Sequence, residues 1–194
     1  MPNVVISGTG LYTPPQVITN AELVESYNAY ADLQNARNAS RIAAGECQPL
    51  VHSSVEFIEK ASGIKQRHVI DKAGVLDPQR MKPRFAPRPD DQPSLMAEIA
   101  ADAGAKALVA AGRSGSDVDG VLCAAANMQR AYPAMACEIQ HALGCGGYAF
   151  DMNVACSSAT FAIEQAANAV RCGTAKRVLA VSYTHLTLPT NREV

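Results

Sequence analysis

The sequence predicts a layered α/β domain, and three observations carry that expectation. Strand-like and helical runs alternate from Arg67 or earlier to Ser182, the pattern of a sheet covered by helices. Residues 120–126 form a strand whose VLCAAAN run (residues 121–127) is apolar on both alternating faces, as suits a strand with helices on each side. Residues 148–173 (YAFDMNVACSSATFAIEQAANAVRCG) divide into a short strand over 149–154, an abrupt corner at Ala155-Cys156-Ser157, and a helix ending at Gly173.

That last stretch organises the chain. Phe161, Ile163, Ala166, Ala169 and Val170 fall at helical spacings, and Gly173 suits a left-handed C-cap. Between Val154 and Val170 the only charged residue is Glu164, so the helix is expected to be buried. The corner then sets Cys156 at a helix N-terminus, where unpaired N–H groups and the macrodipole favour the thiolate form of a thiol. Ser157 and Ser158 keep the corner small and polar, and Ala155 lets it turn sharply. On spacing alone two readings of Cys156 stand: a nucleophile, or a small residue filling a core site, as free cysteines often do.

Composition narrows the classes. The 194 residues are 48% hydrophobic, enough to bury a substantial core in one domain. A formal net charge of −1 gives no electrostatic case for nucleic acid or an anionic membrane. No apolar run reaches bilayer length, and the N-terminus enters a strand-like run without the basic and apolar regions of a secretion signal. None of the six cysteines forms a C-x-x-C pair, so neither a metal site nor a disulfide framework is expected, and a reducing cytoplasm is the simplest compartment.

The remaining elements follow in order. Residues 3–7 read as an apolar strand leading to Gly8-Thr9-Gly10. Thr13 stands where a dinucleotide fingerprint needs its third glycine, so this is expected to be a tight turn leaving a central strand. Thr19 or Asn20 caps a helix running through Val24. Residues 28–51 are polar and alanine-rich without a strand pattern, with a helical turn or two over 39–44. A helix over 54–61 ends at Gly63 and a strand starts near Arg67, with His68 a structural residue at its edge. Residues 71–92 form a proline-stiffened loop carrying Lys82, Arg84 and Arg88; it is either a connector balanced by Asp90 and Asp91, or a surface for an acidic carrier or a phosphate. A helix over 93–111, a loop over 127–132, a helix opened by Pro133 and closed at Gly144, and a strand over 177–182 complete the pattern. His141 is expected to pack or lie at the surface. From Tyr183 the pattern breaks: residues 183–194 read as a foreign tail, and His185 is not expected to partner Cys156.

Three segments carry a resemblance. DMNVACSSAT (residues 151–160) is similar to the active-site segment of the thiolase-superfamily condensing enzymes, most closely β-ketoacyl-ACP synthase III. GTGLYTPPQVITNAEL (residues 8–23) resembles the opening of those proteins, and SSVEFIEKASGIKQR (residues 53–67) resembles their E-W-I-x-x-x-x-G-I-x-x-R segment. The resemblance covers residues 1–182 and implies the first of two similar thiolase-like halves, each a mixed sheet layered with helices. Relative to that pattern, residues 28–52 look like an insertion.

The resemblance also implies chemistry. Cys156 would accept an acyl group from an acyl-CoA primer, and malonyl-ACP (an acyl carrier protein thioester) would lose carbon dioxide and attack it, a decarboxylating Claisen condensation without a cofactor. Phe57 takes the place of the tryptophan that stacks on coenzyme A, whereas Ala61 stands where a cation is usual. Loss of that clamp points to an unusual donor and a primer longer than acetyl. The loop before Pro133 would cross a homodimer interface, with Tyr132 and Met135 lining the partner's acyl pocket. The His and Asn that complete the family's site come from its second half, so no residue here is assigned those roles. The alternatives are an HMG-CoA synthase-like acyltransferase or hydrolase of the same fold, and a non-catalytic fragment or scaffold subunit.

Overall fold

The computed structural model describes residues 3–89 and 91–183; Asp90, His185 and all of the 183–194 stretch except Tyr183 lie outside them. Among the described residues the chain forms two compact units, one of residues 13–87 and one of residues 3–12 with 88–183.

The 13–87 unit begins with β1 (Gln16–Thr19) and α1 (Asn20–Arg37), followed by α2 (Ala39–Ala43), α3 (Val55–Ser62), β2 (Gln66–Val69) and α4 (Lys72–Val75). β1 pairs antiparallel with β2, Gln16 opposite Val69 and Thr19 opposite Gln66; the strand at 16–19 was not evident from the sequence. Thr19 and Glu22 form a reciprocal capping box at the start of α1, satisfying two otherwise orphaned donors. The helix then runs well past Val24 to Arg37, because residues 20–37 contain neither glycine nor proline and are rich in helix formers. Residues 28–37, expected only as part of a polar, alanine-rich stretch without a strand pattern, are thus helical. Ser54 caps α3, and Gly63 ends it with a φ of 70°. Arg84 is ion-paired with Asp77.

The second unit contains α5 (Leu95–Ala110), β3 (Gly120–Ala124), α6 (Met135–Leu143), β4 (Tyr148–Met152), α7 (Ser158–Arg171) and β5 (Val178–Ser182). The three strands form a parallel sheet in the order β4-β3-β5. Every residue of central β3 is buried. Because side chains alternate along a strand, Val121 and Cys123 share one face with Leu179 and Val181 of β5, where Met96, Ala97 and Ala100 of α5 and Met135, Ala136 and Ile139 of α6 pack against them. α7 packs against β3 and β5, on the face of Leu122. Arg88 bonds to Glu98 and to the Pro93 carbonyl, so this cation is engaged within its own unit.

Five expectations are corrected here. Residues 3–7 form no ladder, and Val5 is 77% and Ile6 69% exposed. Gly8 and Gly10, expected in a tight turn, fall in no assigned turn and have no positive φ. They let the backbone approach α5, since a Cβ on Gly8 would lie 2.3 Å from the Ala107 carbonyl oxygen and one on Gly10 2.1 Å from that of Ala103. α7 is not buried all round: only Ser158 and Ala162 are fully covered, and Phe161 and Ile163 are exposed, because its apolar residues are spread around the helix while only one stripe meets the sheet. Met135 is fully buried in the core, which removes it as a pocket-lining candidate, whereas Tyr132 is 90% exposed. Pro133 does not open α6, which begins at Met135.

Tyr183, first residue of the stretch read as foreign, packs against this core and donates its hydroxyl to the Met96 carbonyl at 2.7 Å. No described helix is long and apolar enough to cross a membrane.

Candidate active-site turn

Cys156 sits at the middle of a single 3-10 turn, Ala155–Ser157, between β4 and the first residue of α7. The corner is sharper than small side chains alone require. Ala155 has a φ of +46°, a left-handed conformation that costs a non-glycine residue about 1–2 kcal/mol. Such strain persists where the surroundings over-determine the backbone, and here the surroundings are visible. Ser158, 2% exposed, accepts from the Val154 N–H at 2.9 Å and donates to the Ala155 carbonyl at 2.7 Å. Asn153 accepts from the Ala155 N–H at 2.9 Å and donates to the Ala126 carbonyl at 2.9 Å, tying the turn to the loop that follows β3. The Ser157 N–H closes the turn on the Val154 carbonyl at 3.0 Å.

Asp151, one residue from the end of β4, fixes the neighbouring helix. Its two carboxylate oxygens accept from the backbone N–H groups of Met135 and Ala136, each at 2.8 Å. α6 has no side-chain cap of its own, so an acid from the adjacent strand supplies what the helix N-terminus lacks.

The two readings of cysteine separate in this structure. Cys156 is exposed among the described residues, whereas Cys123 on β3 is fully buried, its thiol pushed up to about 12 by burial and by the nearby Asp151 carboxylate. Burial likewise raises the Tyr183 hydroxyl well above its usual range.

Phe57, the sequence-expected substrate contact, lies on α3 with 66% exposure, and Lys60 follows it at i+3 on the same helix. Phe57 and Cys156 belong to different units. His68 is in β2 with Nδ1 donating to the Pro14 carbonyl at 3.1 Å, and His141 is exposed on α6; both fit structural roles. Asp151 as the cap of α6, and Asn153 and Ser158 as turn-fixing residues, were missed. The signal for Asp151 was an acid inside an otherwise apolar strand, a group that must find donors when it is partly buried.

A parallel sheet layered with helices, and a cysteine lifted at a strand-to-helix turn, define a thiolase-like fold. The solved structures agree: 3-oxoacyl-[acyl-carrier-protein] synthase III from Aquifex aeolicus matches with a TM-score of 0.64 at 26% identity, over 91% of this chain and 43% of that one. The enzyme of the same name from Pseudomonas aeruginosa matches with a TM-score of 0.62, over 92% of this chain and 42% of that one.

Residues 150–193 match the family model of 3-oxoacyl-[acyl-carrier-protein] synthase III. The β-ketodecanoyl-[acyl-carrier-protein] synthase of P. aeruginosa is 52% identical over 159 residues, 82% of this chain and 45% of that protein. The β-ketoacyl-[acyl-carrier-protein] synthase III of Paramagnetospirillum magneticum is 29% identical, over 91% of this chain and 41% of its own length. The chain is similar to enzymes named 3-oxoacyl-ACP synthase III, and it spans under half the length of the curated relatives it matches.

Proposed function

We propose that Cys156 is the acyl-accepting nucleophile of a decarboxylating condensing enzyme, and that this chain supplies that part of the site. The carrying observation is the exposed Cys156 on a turn held in left-handed strain at Ala155 by Ser158 and Asn153. A positioned nucleophile splits a difficult acyl transfer into two easier steps. The Cys156 sulfur attacks the carbonyl carbon of an acyl thioester, and the coenzyme A thiol departs with the proton. Malonyl-ACP then loses carbon dioxide, its enolate carbon bonds to the acyl carbonyl, and the cysteine sulfur leaves as β-ketoacyl-ACP forms. Backbone N–H donors, that of Cys156 among them, would meet the tetrahedral oxyanion.

The primer is longer than acetyl in this proposal. The P. aeruginosa relative is named for a β-ketodecanoyl product, and condensation with a malonyl unit adds two carbons, so such a product starts from an octanoyl thioester. Phe57, exposed on α3, is the proposed purine-stacking contact for a coenzyme A donor. The exposed Tyr132 loop supports a homodimer in the complete enzyme, and the free thiols suit a reducing cytoplasm. The His and Asn that stabilise the enolate are proposed to come from residues outside this sequence, so the chain alone takes an acyl group without completing condensation.

Intact-protein mass spectrometry tests this, on this chain and on a version extended to the length of its relatives, after incubation with acetyl-, butyryl- and octanoyl-CoA. The expected result is an adduct on Cys156, strongest with octanoyl-CoA and abolished in Cys156→Ala. No adduct from any donor, in an extended protein that is folded, would sink the proposal. It would favour a second reading, a non-catalytic polypeptide that associates through exposed Phe150, Val154, Phe161 and Ile163.

A further inference from the structure

We propose that Asn28 of α1 is a positioning residue for Phe57, acting through the residue that precedes the cap of α3; this rests on the reading of Phe57 as the contact for a coenzyme A donor. Packing gives α3 little hold. None of its eight residues is fully buried, and Phe57 itself is 66% exposed. A ring with so little around it stands where the helix backbone puts it.

Side chains of α1 fix that backbone. The Asn28 amide engages both backbone groups of Ser53, accepting from its N–H at 2.8 Å and donating to its carbonyl at 3.2 Å. Ser54 comes next, and its hydroxyl accepts from the Phe57 N–H at 3.1 Å as the N-cap of α3. Asn28 therefore grips the residue beside the cap, and the cap is bonded to Phe57 itself. The other end of α3 is held in the same way: Asn20, 2% exposed, donates its amide to the Ile64 carbonyl at 2.7 Å, just past Gly63. Asn20 and Asn28 stand about 12 Å apart along α1, and the eight residues of α3 span about the same length. Two asparagines thus hang α3 beside α1 by its ends.

The approach to the cap is steadied by the same stripe of α1. Asn35 engages Leu50 as Asn28 engages Ser53, accepting at 2.8 Å and donating at 2.9 Å, and Asp32 lies 2.7 Å from Nε2 of His52. Asn28, Asp32 and Asn35 fall at i, i+4 and i+7, on one face of the helix. Asn28 and Asn35 are about 10.5 Å apart along α1, a distance that the three steps from Leu50 to Ser53 reach, at about 10 Å, only when drawn out. Residues 48–52 are exposed throughout and carry no assigned helix or strand, so polar bonds rather than apolar burial hold them.

A ring fixed in advance stacks on a purine without a further ordering cost at binding. Loss of Asn28 should therefore weaken the grip on the donor and leave the chemistry at sulfur unchanged. The test follows Cys156 acylation against octanoyl-CoA concentration by intact-protein mass spectrometry, on the protein extended to the length of its relatives. Asn28→Ala should raise the half-saturating concentration about fivefold or more, with the limiting rate within about twofold of wild type. Asn28→Asp, which keeps an acceptor for the Ser53 N–H, should fall between the two. Phe57→Ala should raise the half-saturating concentration as well, and the double variant should be no worse than Phe57→Ala, because Asn28 acts through that ring. Hydrogen exchange at the Phe57 amide should quicken roughly tenfold in Asn28→Ala. Three results overturn the proposal while the donor contact stands: effects that multiply in the double variant, a fall in limiting rate alone, or an unchanged half-saturating concentration in Asn28→Ala where Phe57→Ala raises it. No rise in Phe57→Ala overturns the donor contact, and the proposal with it.

Discussion

Ser158→Ala is the sharpest probe of the turn. The substitution deletes one hydroxyl and with it two hydrogen bonds, from the Val154 N–H at 2.9 Å and to the Ala155 carbonyl at 2.7 Å. An intramolecular hydrogen bond contributes about 0.5–1.5 kcal/mol net. Two such bonds would give about 1–3 kcal/mol, but Val154 and Ala155 are themselves exposed, so water can re-satisfy part of what is lost. The expected cost is therefore about 1–2 kcal/mol. Ser157 supplies the control: it is exposed and its side chain makes no hydrogen bond in the turn, so Ser157→Ala should stay within about 0.5 kcal/mol of wild type. Urea denaturation of the three proteins measures the costs, and the rate of thiol alkylation at Cys156 reports the geometry. Ser158→Ala should also slow acyl-adduct formation at Cys156, because the left-handed Ala155 is no longer clamped from the helix side. A Ser158→Ala variant as stable as wild type, or one no less stable than Ser157→Ala, would refute the claim that this hydroxyl holds the corner.

Asp151→Ala removes the acceptor for both the Met135 and Ala136 N–H groups and should cost about 1–3 kcal/mol by the same denaturation assay, whereas Asp151→Asn, keeping one acceptor oxygen, should recover part of it. Gly147→Ala combines a φ of +73° with a Cβ placed 1.7 Å from the Asp119 carbonyl oxygen; a loss above about 2 kcal/mol is expected, and near-wild-type stability would show that the β4 entry is not packed as described. Glu22 is held down to about 2 by its bond to Lys72 and then by the Thr19 N–H and hydroxyl. A carboxylate lowered in the folded state stabilises fully above its unfolded value, 4.5, and loses that contribution as pH falls towards about 2; Glu22→Gln should therefore be less stable than wild type at pH 7 and indistinguishable from it near pH 2. Iodoacetamide at pH 8 should label exposed Cys156 while leaving Cys123 unmodified in the folded protein, since burial keeps the latter thiol protonated; peptide mapping distinguishes the two.

Much of the fold was legible in the sequence because its signals are local. The all-apolar strand at 120–124, the glycine C-caps at Gly63 and Gly144, the Ser54 cap and the strand-corner-helix at 148–171 each depend on residues within one turn of one another. The same holds for the candidate site: the corner at Ala155-Cys156-Ser157 was visible as small residues between an apolar strand and an apolar helix. What failed were inferences from composition to burial. An almost uncharged α7 reads as a helix covered on every side, yet coverage depends on which neighbours the fold brings to each face, and only Ser158 and Ala162 are fully buried. Residues 3–7 have the composition of a strand, but a strand exists only when an edge pairs with it.

By itself, then, the sequence determined the order of the elements, the sharp corner and the cysteine at its apex, because propensity, capping and periodicity act over a few residues. Only the tertiary structure decided which cysteine is exposed and which is core, that Asp151 caps a helix it does not belong to, and that Ser158 and Asn153 hold Ala155 in a left-handed conformation. Those are contacts between residues on different elements or around a bend, and their energies depend on distances and angles that no linear pattern encodes.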